Sequence, residues 1–564
     1  MKDRLIECVP NISEGRDRSK IDAIASVVNT VEGVKLLDVD PGKATNRTVI
    51  TFVGPPEAVV EAAFLLIQKA QQLIDMRNHS GEHPRFGATD VCPLVPISGV
   101  TMDEVAEHAR ILGERVGREL GIPVYHYEHA AGEEKRRNLA NVRSGEYEGL
   151  AMKLTDPAWK PDHGSAAFND SVARSGAIAI GARNFLVAYN VNLNTTSTRR
   201  ANAIAFDIRE AGRVQREGDP LTGKVVTDAN GDPVKVPGKL KAVKGIGWYI
   251  EEYGIAQLSL NLTDITVTPV HVAFEEACNS AHERGIRVTG SELVGLVPKQ
   301  ALLDAADHFL RKQQRSLGIS EQEKIKIAVK SLGLDDLAPF DPEKKVIEYM
   351  LRDLEHERLV RMDLKAFSEE TASESPAPGG GSVAAYVGAL GVALGTMVAN
   401  LSAHKRGWDE RWEEFSDHAV KGERLRQELL HLVDEDTRSF DRILQAFQMP
   451  KGTHEEETAR KNAIVEATKG AVLIPLRTMR LCLESMELME EMASKGLKAS
   501  VSDAGVGAMC ARTGVLGAYL NVRINCAGLD EEAWTTEVLK EAEHIRRAAI
   551  EREAEVLKAT LEKI

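Results

Sequence analysis

The first part of the chain alternates short β-rich runs with amphipathic segments. Residues 34–39 (VKLLDV) and 47–53 (RTVITFV) are apolar runs bounded by Pro and Gly, and they predict strands. A helix is expected over 57–74, a strand over 90–96 and a second helix over 102–120. After residue 176 a similar alternation resumes, with strand-rich stretches at 177–192 and 255–266 and helical ones at 270–284 and 299–311. Strand pairs interleaved with helices predict two α+β layers packed side by side. From residue 353 the strand signals stop. Residues 413–447, 454–489 and 531–562 are long, rich in Leu and Ala and charged on one face, as in a helical bundle. The expected architecture is therefore an α+β N-terminal half followed by an all-α helical-bundle C-terminal domain. Pro339, Asp341 and Pro342, with the charged run behind them, mark a connector over 338–362. This places two α+β subdomains at 1–182 and 183–337 and the helical domain at 363–564. No period of 20–50 residues repeats, which excludes a solenoid.

Residues 375–403 carry no charged side chain, and composition decides how they are read. A membrane span needs roughly 20 strongly apolar residues, whereas this stretch is Gly, Ala and Val behind a triple glycine. Gly388, Gly391 and Gly395 fall at helical steps that would let a neighbouring helix approach closely. A tightly packed helix in a soluble bundle is expected, with no membrane partner. The 564 residues are 43% hydrophobic and 28% charged, a globular mix. Their net charge of −14 argues against nucleic acid as a partner but leaves room for a small anion held by a few local cations. Six scattered cysteines without a CxxC pair, behind an N-terminus lacking an apolar signal core, predict a reduced cytoplasmic protein.

Three clusters could carry chemistry. The densest is 77–87 (RNHSGEHPRFG). His79 and His83 with Glu82 match the inverted zinc-protease pattern HxxEH, but that pattern needs a helix, which Gly81 and Pro84 oppose. The other reading is a loop presenting an imidazole for proton transfer, with Glu82 to orient it and Arg85 to hold a carboxylate. A surface loop with inert histidines is the alternative. His126 and His129 sit at a strand end without metal-ligand spacing, and no metal is expected.

In the second cluster, Leu425, Leu429, Leu432, Asp436, Phe440, Ile443 and Phe447 share one helix face. An acid in the middle of an apolar stripe is expected to have a raised pKa, useful for proton shuttling near neutrality, or else to be structural and bonded to a neighbouring hydroxyl. Asp434 and Glu435 lie off that line and are expected to be solvated. The third cluster, Gly379, Gly380, Gly381 and Ser382, opens a helix whose unpaired N–H groups could meet an anion or a polar ring.

Together these stretches resemble the bifunctional formimidoyltransferase–cyclodeaminase family. Residues 7–17 (ECVPNISEGRD), 81–97, 181–195, 244–252 and 288–306 are similar to its transferase half. The PAPGGGSVAA segment and LVDEDTRSF (432–440) are similar to its cyclodeaminase half. The resemblance implies transfer of a formimidoyl group from N-formimidoyl-L-glutamate to tetrahydrofolate, a co-substrate that can carry a polyglutamate tail. Closure to 5,10-methenyltetrahydrofolate with loss of ammonia follows, and the setting is histidine degradation. His83 would be the transferase acid/base and Asp436 the cyclodeaminase catalyst. Asn11, Arg47, Glu82, Arg85, Asp162, Gly164, Gly176, Arg183, Gly379, Gly380, Gly381 and Ser382 would bind substrate or folate. The family also implies a ferredoxin-like pair of α+β subdomains and a homo-oligomer, an octameric ring of dimers. A formyl donor in the first half and methenyl-folate hydrolysis in the second stay open as alternatives.

Overall fold

In the computed structural model the described residues are 4–43, 45–81, 85–218, 222–352, 357–529 and 531–564. They form two compact units, Met1–Asp304 with Leu332–Leu351, and Ala305–Ser331 with Arg352–Ile564. The units do not follow chain order, because residues 305–331 lie with the helices that come later. Asn400 donates to Gly318 O at 2.8 Å, and Leu317 N donates to Ser416 Oγ at 3.0 Å. Residues 338–351 lie in the first unit, where Val346 bridges to Val297.

Among the described residues the first unit holds two large sheets and a small two-stranded one that pairs residues 213–214 with 235–236. The first is built from β1 (Leu5–Cys8), β2 (Asn11–Ile12), α1 (Arg18–Ala25), β3 (Lys35–Gly42), β4 (Arg47–Gly54), α2 (Pro56–Leu73) and β5 (Thr89–Ser98). With β1 and β2 counted as one interrupted strand, this is a βαββαβ unit. The interrupted strand lies between β5 and β4, β3 lies outside β4, and every pair is antiparallel. After α3 (Met102–Leu120), β6 (Val124–Glu128) and β7 (Ile178–Ala182) extend the sheet beyond β5 in parallel. Helix α3 keeps its expected bounds because both ends are capped. Thr101 and Glu104 form a capping box, and Gly121 turns left-handed at the exit.

The second sheet repeats the plan with β8 (Val187–Leu193), α4 (Thr198–Ile208), β9 (Val243–Ile250), β10 (Ile255–Leu262), α5 (Val270–His282) and β11 (Val288–Val294), in the order β9–β10–β8–β11. Alternation sets what each face does. In β1, Ile6 and Cys8 point into the core under α2 and α3, which leaves Glu7 for the opposite face.

In the second unit the main helices are α6 (Gly380–Ala403), α7 (Trp412–Gln448), α8 (His454–Lys495), α9 (Val501–Cys526) and α10 (Glu532–Leu561). By length and composition alone α6 could cross a membrane, yet 61% of its apolar window is buried. Its glycines are contact points. An added Cβ would lie 2.5 Å from Cys482 Sγ at Gly388, 2.7 Å from Gly507 O at Gly391, and 2.6 Å from Met489 Sδ at Gly395. The apolar stripe of α7 is buried only in part. Leu425, Leu429 and Leu432 are buried, whereas Phe440 is 46% and Phe447 52% exposed. The burial of α8 begins only at Ala471, so the α7–α8 hairpin outruns the core.

Candidate active sites

The first candidate site is a cavity of about 560 Å³ in the α+β unit, lined by Glu7, Asn11, Arg47, Tyr127, Arg183 and Lys244 among others. Asn11 and Arg47 meet because β2 pairs with β4, and Arg47 Nε donates to Asn11 Oδ1 at 2.8 Å. Beneath them Asp90 is 1% exposed, 3.6 Å from Arg47 and 2.8 Å from Arg143. Burial pushes the Asp90 carboxyl up, while the two guanidiniums oppose that shift. Two cations around one buried acid leave a positive site suited to an anionic substrate. Arg183 follows β7 at the cavity wall, bonded to Asn184 O at 3.0 Å and to the Tyr127 phenol.

The loop of the first cluster is pinned at both ends. On its N-terminal side, His79 Nε2 lies 2.8 Å from Asn46 O, and Asn46 Nδ2 donates to Ser80 O at 2.9 Å. Gly81 packs so closely on Thr45 O that a Cβ would lie 2.3 Å away. On its C-terminal side, Arg85 pairs with Glu148 and donates to His79 O at 3.2 Å, and Phe86 N donates to Asp90 Oδ1 at 2.9 Å. Residues 79–81 form no helix, as the loop reading requires. Glu82 and His83 lie outside the described residues. Burial depresses the His79 pKa, so His79 is a neutral pin for the loop.

The expected folate stretch is placed apart from this cavity. Asp162 accepts from His126 N at 2.8 Å and pairs with Arg136 at 2.7 Å, which ties it to β6. Gly164 has φ +84° and rests against Ile122 O, where a Cβ would come within 2.0 Å. Gly176, at φ +67°, crosses Gly87 with room for no side chain, and Ala88 N donates to Ser175 O at 2.7 Å. Gly176 thus clamps the segment that follows the loop, whereas Asp162 and Gly164 secure the β6 edge.

In the helical unit the second and third clusters converge. Gly379 caps α6, and its first turn meets Asp436 of α7. A Cβ on Gly381 would lie 2.2 Å from Asp436 Oδ1, so only glycine admits the carboxyl there. Ser382 donates its hydroxyl to Oδ2 at 3.1 Å and its backbone N–H to the same carboxyl. Burial raises the Asp436 pKa, and these two bonds oppose the rise.

Asp434, expected to be solvated, is instead 7% exposed. It accepts from Leu359 N at 2.7 Å and Val360 N at 3.2 Å, because the segment before α6 crosses that face of α7. Glu435 is also partly covered, paired with Arg438 and Arg442. On the Asp434 side lies a cavity of about 610 Å³ lined by Arg358, Arg438, Arg442 and Thr437. Asp436 is on the other side of the helix. Among the described residues no group of three or more His, Cys, Asp or Glu gathers to hold a metal.

Sequence reasoning missed Glu7, Asp90 and Arg143. Reading residues 5–8 as an alternating strand would have found the first, since Glu7 is the polar position between Ile6 and Cys8.

A βαββαβ pair around a cation-lined cavity, joined in one chain to a helical bundle with a buried acid at a helix start, defines a two-centre enzyme acting on small anionic substrates. Residues 5–183 match the formiminotransferase domain, N-terminal subdomain; 188–352 match the formiminotransferase domain; and 363–544 match formiminotransferase-cyclodeaminase. The formimidoyltransferase-cyclodeaminase of Rattus norvegicus is 43% identical over 552 residues, 98% of this chain and 97% of its own length. The glutamate formimidoyltransferase of Streptococcus pyogenes is 39% identical over 55% of this chain and 94% of its own. The methenyltetrahydrofolate cyclohydrolase of Methylorubrum extorquens is 41% identical over 32% of this chain and 86% of its own. A solved formiminotetrahydrofolate cyclodeaminase from Thermotoga maritima is 26% identical, covers 36% of this chain and 98% of its own, and has a TM-score of 0.33. The chain belongs to the formimidoyltransferase-cyclodeaminase family.

Proposed function

We propose that the α+β unit transfers a formimidoyl group from N-formimidoyl-L-glutamate to nitrogen-5 of tetrahydrofolate. The helical unit then closes the product to 5,10-methenyltetrahydrofolate with release of ammonia, in histidine degradation. Similarity along nearly the full length to a relative named for both activities carries the reading. In the first step a base takes the proton of the attacking nitrogen and returns it to the departing glutamate nitrogen. That role goes to His83, because an imidazole is the side chain suited to taking and returning a proton near neutrality. Asn11 and Arg47, fixed against each other over Asp90, and Arg183 at the wall offer donors to the substrate carboxylates. In the second step nitrogen-10 attacks the amidine carbon and the departing amine must be protonated. Asp436, whose carboxyl pKa burial pushes above the ordinary value beside Ser382, is suited to that transfer. Gly379, Gly380 and Gly381 keep the approach to it free of side chains.

A homo-oligomer, an octameric ring of dimers, is part of the same reading. Leu390, Met397 and Leu401 on α6 and Leu520 and Ile524 on α9 are exposed apolar side chains that a second copy could cover. The six free cysteines, two of them 3.5 Å apart, suit a reducing cytoplasm. Similarity to the Methylorubrum enzyme favours methenyl-folate hydrolysis as a second reading for the helical unit.

Purified chain, tetrahydrofolate and N-formimidoylglutamate should produce methenyl-folate absorbance and ammonia in equal amounts. Consumption of supplied methenyl-folate without ammonia production would favour the hydrolase instead.

A further inference from the structure

Of the carboxylates lining the α+β cavity, Glu7 differs from the rest. It is 3% exposed, and no ion pair or hydrogen bond reaches its carboxyl among the described residues. Asp264, by contrast, is bonded by Asn184 and Thr266, and Asp40 is exposed. The register of β1 puts Val53 of β4 and Val95 of β5 beside Glu7, so its flanks are apolar. The charged groups that act on it are Arg183, after β7, and Glu348 of the short helix Ile347–Met350.

Resting on the transferase reading, we propose that Glu7 grips the amidine end of the donor and so makes this site select a formimidoyl over a formyl group. N-formimidoylglutamate carries one cation and two carboxylates, because an amidine is protonated at neutral pH. The cavity offers a matching pattern, a buried acid together with the guanidiniums of Arg47 and Arg183. An amidinium presents two parallel N–H groups, and a carboxylate accepts both. A formyl group is a neutral amide whose oxygen an ionised Glu7 would repel. A buried acid without a partner is costly, and a bound cation removes that cost.

The sign of the pH dependence follows. Burial lifts the Glu7 carboxyl to about 7, with Arg183 opposing and Glu348 adding to the rise. The amidinium needs the ionised form, so donor binding releases a proton and weakens as pH falls below that value. A formyl donor gains from the protonated form and does not weaken.

The test is steady-state kinetics of the full chain with N-formimidoylglutamate and N-formylglutamate as alternative donors. Glu7→Gln should raise KM for the formimidoyl donor about 10- to 100-fold while KM for tetrahydrofolate stays within about twofold. Equal losses for both donors, or an unchanged formimidoyl KM, would overturn the proposal. The wild-type enzyme gives a second measurement that does not depend on the variant folding. Between about pH 8 and about pH 6 the formimidoyl KM should rise about tenfold relative to the formyl KM, and parallel profiles would reject the role. A wild-type chain that transfers no formimidoyl group at all refutes the transferase reading itself, and this proposal with it.

Discussion

Asp434 and Asp436 are two residues apart on one helix, and their surroundings assign them different work. Asp434 spends its carboxyl on two backbone N–H groups, which fixes the segment before α6. Asp436 meets a hydroxyl, one N–H and the Cα of a glycine, and its pKa rises because burial outweighs those bonds. A raised carboxyl pKa means that folding penalises the charged form. The penalty is absent below the ordinary value of 3.8 and grows to its full size as pH climbs through the raised one. Asp436→Asn should therefore leave the fold more stable than wild type at neutral pH. That advantage should vanish in acid, as denaturant titrations at several pH values will check. The same substitution should abolish ring closure, so that at this residue activity is gained at the expense of stability.

At the scale of the element, helices whose ends carry caps were readable in advance. Helix α3 is framed by Thr101 and Gly121, and α8 begins at the Thr453–Glu456 capping box. Helix α9 was not foreseen, because Gly and Ala surround it on every side and no amphipathic stripe marks a buried face. The broken strand β1–β2 was also missed, being short and interrupted at Pro10. The small-residue steps of α6 were legible and do set contact distances. Gly391→Ala would drive a Cβ to 2.7 Å from Gly507 O and 2.9 Å from Cys510 Cβ, both on α9. Overpacking of this kind costs about 1–3 kcal/mol. The thermal midpoint of the helical unit should fall by several degrees, as calorimetry will show. An unchanged midpoint would mean that α6 and α9 can part without cost.

On the scale of the whole molecule, two centres imply two separable losses. His83→Ala should stop transfer while leaving cyclisation of supplied 5-formimidoyltetrahydrofolate intact. Asp436→Asn should transfer normally and accumulate that intermediate. Mixing the two variants should restore methenyl-folate formation, with a lag while the intermediate builds up in solution. Loss of both steps in either folded variant would reject this division of labour.

The alternation of most strands and helices, the change from α+β to all-α, and the motifs bearing Asp436 and the triple glycine followed from local pattern. Period and capping are properties of neighbours along the chain. Tertiary structure alone decided that Gly381 and Ser382 close over Asp436, that Asp434 is buried, and that Glu7 faces the Arg47 and Arg183 cavity. Each depends on segments tens to more than a hundred residues apart. Burial, which gives an acid its chemistry, is created by whatever packs against it and not by its sequence neighbours.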